Sequence, residues 1–212
     1  GFVGAATAAG LKSTGAKDLT LIVNQGPKNW ASAVFTTNQV IAAPVIWSKE
    51  VIKGSAVRAV VLNSGGANAC TGSQGFQDTH KSAEHVASLL NHSSSEIFVC
   101  STGMIGEFLP MDKVINGIDV IAANLSNEAL LDCAEAIMTT DSIPKISTVQ
   151  ASEVQMSGIA KGAGMLAPAL ATMLCVIMTD AVLPEEADSI FKDIVDKTFN
   201  RIDSDGCTST ND

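Results

Sequence analysis

Residues that fit acyl-transfer chemistry occur at two places in the chain. The stretch "STGMIG" begins at Ser101 directly after an apolar run, and it offers consecutive backbone N–H groups beside a hydroxyl. Donors held in this way can stabilise the oxyanion that develops during acyl transfer. The same pattern is also typical of an ordinary glycine turn. The stretch is therefore a candidate oxyanion site that needs support from other residues.

The second place is "GIAKGAGMLAPALATML", which begins at Gly158 and contains Lys161 and Thr172. A threonine hydroxyl is a poor nucleophile until a base removes its proton. If the Ala171–Thr172 peptide bond is cut, the freed α-amine of Thr172, with a reference pKa of roughly 7.7–8.0, lies beside that hydroxyl and can act as the base. The alternative is that Thr172 packs in a buried strand. The residues alone favour this structural interpretation, because a lone threonine in an apolar run is usually not reactive.

Two further polar stretches have simple structural interpretations. "NSGGANACTG", which begins at Asn63, lacks the Lys-Ser/Thr pair of a phosphate-binding loop and fits a tight turn. "MTTDSIPK", which begins at Met138, carries two hydroxyls and a carboxylate at the end of a helical pattern. Such residues commonly bond to the nearby backbone and cap helices.

Apolar runs and helical patterns alternate along the chain, which predicts a mixed α/β fold. The runs predicted to form strands are "DLTLIVN" from Asp18, "RAVVLNS" from Arg58, "EIFVCS" from Glu96 and "TMLCVIMT" from Thr172. The last run is apolar enough to predict burial on both faces. The patterns predicted to form helices begin at Phe76, Met111, Asn127 and Pro184.

Composition disfavours several classes of function. The net charge is -9 and aromatic residues make up 4%, so neither phosphate contacts nor base stacking is favoured and no nucleic-acid partner is expected. Five scattered cysteines and three histidines without ligand spacing favour neither a disulfide framework nor a metal site. The stretch from Gly162 to Thr179 lacks charge, but its proline and glycines favour a buried strand and turn over a membrane span. No basic-then-apolar leader is present, and we expect a cytoplasmic protein.

The motifs together resemble the ornithine acetyltransferase family, whose members are also called bifunctional glutamate N-acetyltransferases. The motifs that carry the resemblance, in chain order, are "NSGGANACTG", "STGMIGEFLPMDK", "AIMTTDSIPK", "AKGAGMLAPALATML" and "DGCTSTND". The resemblance covers nearly the whole chain. It implies a layered α/β fold of the self-processing N-terminal-nucleophile type, with sheets packed against helices.

The resemblance also implies roles for matching residues. Cleavage would occur between Ala171 and Thr172, which makes 1–171 an α-chain region and 172–212 the start of a β-chain. Thr172 would be the nucleophile that holds the acetyl group, and Thr102 with Gly103 would stabilise the oxyanion. Thr140, Lys161 and Thr172 would bind substrate, with Lys161 as a counter-charge to a carboxylate.

The implied reaction is a ping-pong transfer of acetyl from N2-acetylornithine to glutamate in arginine biosynthesis, with acetyl-CoA as a further possible donor. No cofactor or metal is implied, and the expected assembly is a heterotetramer of two α and two β chains. Two alternatives stay open at this point. One is a self-processing N-terminal-threonine amidase or aminopeptidase, and the other is a protein in which Thr172 has no catalytic role.

Overall fold

Four strands form the first sheet, and their order in the sheet follows their order in the chain. The strands are β1 (Phe2–Thr7), β2 (Leu19–Asn24), β3 (Ala59–Asn63) and β4 (Ile97–Ser101). β1 with β2 and β2 with β3 are antiparallel, whereas β3 and β4 are parallel. A parallel pair needs a long crossover, which a helix supplies here. The computed structural model describes residues 1–167 and 173–211.

Three antiparallel strands form the second sheet. They are β5 (Lys145–Ala151), β6 (Val154–Lys161) and β7 (Leu174–Thr179). β6 is the central strand, and its last residue, Lys161, pairs with Leu174 at the start of β7. The end of β6 and the beginning of β7 therefore lie side by side.

In the described part of the chain, helices cover one face of the first sheet, and a further helix packs together with the second sheet on the other. The helices are α1 (Ala43–Val51), α2 (Gly72–Leu90), α3 (Met111–Ala122), α4 (Leu130–Ala136) and α5 (Ala187–Lys197). Neighbouring residues of β2 divide between the two faces: Leu21 joins a core with α2 and α3, whereas Ile22 joins a core with α4, β6 and β7. This division follows from the alternation of side chains along a strand. The first sheet is therefore buried on both faces.

Each predicted strand and helix corresponds to an observed element, with small shifts at the ends. β7 begins at Leu174, and the predicted residues before it fall partly outside the described ranges. The sequence patterns did not predict β1, α1, β5 or β6. None of the helices in the described ranges has the length and apolar character needed to cross a bilayer.

The prediction that the apolar run of β7 is buried on both faces is wrong for this structure. Leu174 and Met178 point into the core, whereas Cys175 is exposed and Ile177 is 44% exposed. The physical reason is the position of β7 in the outer of the two sheets. One face of that sheet packs on the first sheet, and the other is open to solvent in the described part of the chain.

Candidate active site

The candidate residues gather at the edge where β3, β4 and β6 end and β7 begins. Leu62 of β3, Ile159 of β6 and Leu174 of β7 share one apolar cluster, which holds these strand ends together. The loops that follow β3 and β4 also pair with each other. In that pairing, Ala67 donates its N–H to the carbonyl of Met104 at 2.9 Å. Loops from both sheets therefore meet at one edge of the molecule.

The segment Ser101–Gly106 begins at the last residue of β4, and we call it the oxyanion strap. Gly103 has a φ of 131°, and a Cβ at this position would lie 2.8 Å from the nitrogen of Gly66. Only glycine adopts this conformation readily and leaves room for the neighbouring loop. The strap can therefore lie directly against the loop after β3.

The donors that the strap offers differ from the sequence-based expectation of consecutive free N–H groups. The N–H of Thr102 donates to the carbonyl of Asn63 at 2.9 Å, so it is already used. In the described part of the chain, neither the Thr102 hydroxyl nor the Gly103 N–H has an acceptor at normal hydrogen-bond distance, although Thr102 forms an isolated antiparallel bridge with Gly66. The donors that fit an oxyanion are thus one side-chain hydroxyl and one backbone N–H.

Asn63, the last residue of β3, connects the two loops beneath the strap. Its side-chain oxygen accepts hydrogen bonds from the N–H groups of Gly65 and Gly66, both at 3.2 Å. Its side-chain nitrogen donates to the hydroxyl of Ser101 at 2.7 Å. Because Asn63 is buried, these bonds also satisfy polar groups that water does not reach.

Lys161 lies at the end of β6 and is 2% exposed. Its ammonium group donates to the hydroxyl of Thr139 at 3.2 Å. Thr140, the next residue, is exposed, so its side chain is accessible beside the enclosed lysine. A cation held at such an edge can attract a substrate carboxylate, provided that the substrate reaches it.

Asp141 holds the loop that carries these threonines against the end of β6. Its carboxylate accepts the N–H of Gly162 at 2.8 Å, the N–H of Thr139 at 3.2 Å, and a close contact from the Lys145 ammonium. Burial alone raises the pKa of this carboxyl, but the three donors outweigh it and hold the pKa below its ordinary value. Asp141 is therefore charged at neutral pH, and it fixes the backbone next to Lys161.

Lys12 connects the same loop to the first sheet. Its ammonium donates to the carbonyl of Met138 at 2.8 Å and to that of Lys17 at 2.9 Å. Burial lowers the pKa of Lys12, and the nearby charges of Asp18 and Asp141 act in the opposite direction. The preceding residue, Leu11, packs so closely on Gly65 that a Cβ there would lie 2.2 Å from the Leu11 Cβ. Leu11 and Lys12 therefore connect the loop after β3, which lies beneath the strap, with the loop beside Lys161.

The structure places Thr102 and Gly103 after β4 and places Lys161, with the loop that contains Thr140, at the end of β6; contacts of Leu11 and Lys12 connect the two places. Ala171 and Thr172 lie outside the described residues, and the nearest described neighbours are Ala167 and Met173. Asn63, Lys12 and Asp141 are site residues that the sequence analysis missed. Asp141 had one available signal, since it follows the two threonines of "MTTD" directly. Within the described ranges, no group of His, Cys, Asp or Glu could hold a metal ion.

Comparison with known proteins identifies the family. The model of the ArgJ family matches residues 4–212. The chain belongs to the ArgJ family. Among curated ArgJ proteins, the arginine biosynthesis bifunctional protein ArgJ of Thermobifida fusca is 53% identical over 213 residues, which covers 100% of this chain and 56% of the relative. The chain thus spans about half the length of the curated ArgJ relatives it matches.

Solved structures of ArgJ relatives share the fold. An ornithine acetyltransferase from Mycobacterium tuberculosis, solved with ornithine, matches with a TM-score of 0.72 and 42% identity, covering 82% of this chain and 93% of that one. An arginine biosynthesis bifunctional protein ArgJ from Bacillus halodurans matches with a TM-score of 0.67 and 33% identity, covering 82% and 91%. These matches confirm the family resemblance and the predicted layered α/β fold of the N-terminal-nucleophile type.

Proposed function

We propose that this chain is the part of an ArgJ acetyltransferase that contains the cleavage site, the nucleophile and the oxyanion donors. The observation that carries the proposal is the edge shared by the oxyanion strap and the loop beside Lys161. Lys161 pairs with Leu174, which is two residues beyond Thr172. The strand that follows Thr172 in the sequence therefore begins at this edge.

Cleavage would occur between Ala171 and Thr172, and it would divide the chain into residues 1–171 and 172–212. The Thr172 hydroxyl attacks the Ala171 carbonyl, the peptide becomes an ester, and water hydrolyses that ester. The lengths of known relatives support two fragments. The curated relatives are nearly twice as long as this chain, whereas the solved mycobacterial chain is slightly shorter than it.

The cleaved form would transfer an acetyl group in two steps. The α-amine of Thr172 takes the hydroxyl proton while the oxygen attacks the acetyl carbon of N2-acetylornithine. The amide C–N bond then breaks, and the proton passes to the departing ornithine amine. Glutamate attacks the resulting ester through its own amine, the ester C–O bond breaks, and N-acetylglutamate leaves while the Thr172 hydroxyl regains a proton.

The described residues have separate tasks in these steps. The Thr102 hydroxyl and the Gly103 N–H stabilise the oxyanion of each tetrahedral intermediate. Lys161 attracts the substrate carboxylate, and Thr140 lies beside it as a polar contact. The ester stores the acetyl group between the steps, so the reaction as written uses no cofactor.

Mass spectrometry of the denatured protein tests the cleavage. We expect two fragments, the second of which begins Thr-Met-Leu-Cys. Thr172→Ala should abolish both cleavage and transfer, whereas Thr172→Ser should retain some of each. A single uncut species that turns over substrate normally would overturn the proposal.

A second assay tests the reaction itself, in the complete polypeptide. Acetyl-labelled acetylornithine should leave the label on Thr172, and release of that label should require glutamate. Release to water without glutamate would instead identify an amidase or aminopeptidase, and a label on another side chain would contradict the nucleophile assignment. A parallel reaction with acetyl-CoA tests the second donor, and native mass spectrometry tests the expected assembly of two α and two β chains.

A further inference from the structure

The segment Ser209–Asn211 is buried against residues far upstream in the chain. Its three residues are 1%, 8% and 5% exposed. The hydroxyl of Thr36 donates to the carbonyl of Ser209 at 2.8 Å, and the N–H of Ala42 donates to that of Thr210 at 2.9 Å. The segment is therefore docked through its backbone, which leaves its side chains to make separate contacts.

The amide of Asn211 bridges the two loops of the candidate site. Its nitrogen donates to the carbonyl of Ser101 at 2.9 Å and also to the carbonyl of Ala67. The hydroxyl of Thr210 donates to its oxygen at 2.6 Å. The three bonds define the orientation of the amide, because a flip would place its oxygen against two carbonyl oxygens.

The peptide group between Ser101 and Thr102 is consequently held from both sides. Its carbonyl accepts the bond from Asn211, and its N–H donates to Asn63. A peptide group is planar, so rotation of this group would displace Thr102 and the N–H of Gly103 together. Both oxyanion donors of the strap follow this peptide group directly.

We propose that Asn211 is a positioning residue for the oxyanion donors, and that it acts across the cleavage site. The inference rests on the proposed function, because Asn211 lies downstream of Thr172 while Ser101 and Ala67 lie upstream. After cleavage the amide belongs to one fragment and the strap to the other. The strap is then ordered only while the two fragments stay associated.

Asn211→Asp is the informative substitution, because it keeps the shape and removes both N–H donors. A carboxylate at this position would face two carbonyl oxygens and repel them. Misplacement of reacting groups by about 1 Å can cost on the order of 100-fold in rate. In the complete polypeptide we expect kcat to fall roughly 10- to 100-fold while KM stays within about twofold, since the substrate-binding edge at Lys161 is not altered.

Two further variants separate positioning from docking. Thr36→Val removes a contact to the same segment but none to the strap, and it should leave kcat within about twofold. Thr210→Val removes the bond that orients the amide and should lower kcat a few-fold, so the proposal stays testable if Asn211→Asp does not fold. A loss of kcat in Thr36→Val equal to that in Asn211→Asp would overturn the inference.

Hydrogen exchange supplies a readout that does not depend on activity. The amide of Thr102 should exchange at least about tenfold faster in Asn211→Asp than in the wild type, and at the wild-type rate in Thr36→Val. Unchanged exchange in Asn211→Asp would refute the positioning role whatever the activity. Faster exchange in a protein whose wild type transfers no acetyl would support the positioning of the strap and refute the proposed function alone.

Discussion

Replacing Asp141 with asparagine tests how the loop beside Lys161 is held. The carboxylate is fully enclosed, whereas its partner Lys145 is 43% exposed. An asparagine oxygen in the place of Oδ1 keeps a bond from Gly162, but the amide nitrogen then faces the N–H of Thr139. Two donors would then oppose each other in a partly buried position.

The expected destabilisation follows from these contacts. A buried donor left without an acceptor costs about 1–3 kcal/mol, and the change from a charged to a neutral acceptor for Gly162 removes about 1 kcal/mol more. The exposed ion pair with Lys145 contributes only about 0–1 kcal/mol. We therefore expect Asp141→Asn to lower the free energy of unfolding by about 2–5 kcal/mol at pH 7.

Urea denaturation of the wild type, Asp141→Asn and Lys145→Met measures this difference. The Lys145 variant is the control, because it removes the exposed partner and leaves both backbone bonds in place. It should cost less than about 1 kcal/mol. An Asp141→Asn variant within about 0.5 kcal/mol of the wild type, or a Lys145→Met variant that costs as much, would refute the reasoning.

The difference in unfolding free energy between the wild type and Asp141→Asn should depend on pH in a defined way. The pKa of Asp141 is held below its ordinary value of 3.8, so its contribution to stability is present above that value. The contribution is lost as the pH falls through the lower pKa of the folded state. The gap between wild type and Asp141→Asn should be constant from about pH 5 upward and close below 3.8. A gap that persists into that acidic range would show that the charge is not responsible.

Two further substitutions address the other parts of the site. Gly103→Ala should lower the free energy of unfolding by about 1–3 kcal/mol, because the new Cβ would clash with Gly66 and the backbone there has a left-handed φ. Thermal unfolding measures this loss. Gly54→Ala is the control, since a Cβ at Gly54 would meet open space. A neutral Gly103→Ala would contradict the close packing of the strap. Lys161→Met should raise KM for acetylornithine roughly 10- to 100-fold and change kcat less, as steady-state kinetics of the complete polypeptide can establish. A fall in kcat alone would remove Lys161 from the proposed binding role.

Apolar runs made three of the four strands of the first sheet predictable from the sequence. β2, β3 and β4 lie in a sheet buried on both faces, so each is a continuous apolar segment. β5 was missed because its residues are exposed throughout and its sequence, "KISTVQA", mixes polar and apolar residues. α1 was missed because its nine residues are too few to establish a periodic pattern.

The residues of the candidate site were predictable as motifs but not as a network. The glycines and hydroxyls of "STGMIG" and "MTTD" stand out by type, and the family resemblance assigned them roles. The bond from Gly162 to Asp141 spans 21 positions, and that from Asn211 to Ser101 spans 110. Contacts over such separations depend on how the two sheets pack, which local patterns do not contain.

The N–H of Thr102 is bonded to Asn63, so the proposed oxyanion site depends in part on a side-chain donor. This affects how easily evolution can change the strength of the site. In an oxyanion hole made only of main-chain groups, no side-chain replacement removes a donor, so its strength is nearly fixed. In the oxyanion site proposed above, one of the two donors is a hydroxyl and therefore depends on a single codon. Natural variation at that position can weaken or strengthen stabilisation of the intermediate while the backbone beneath it keeps its shape.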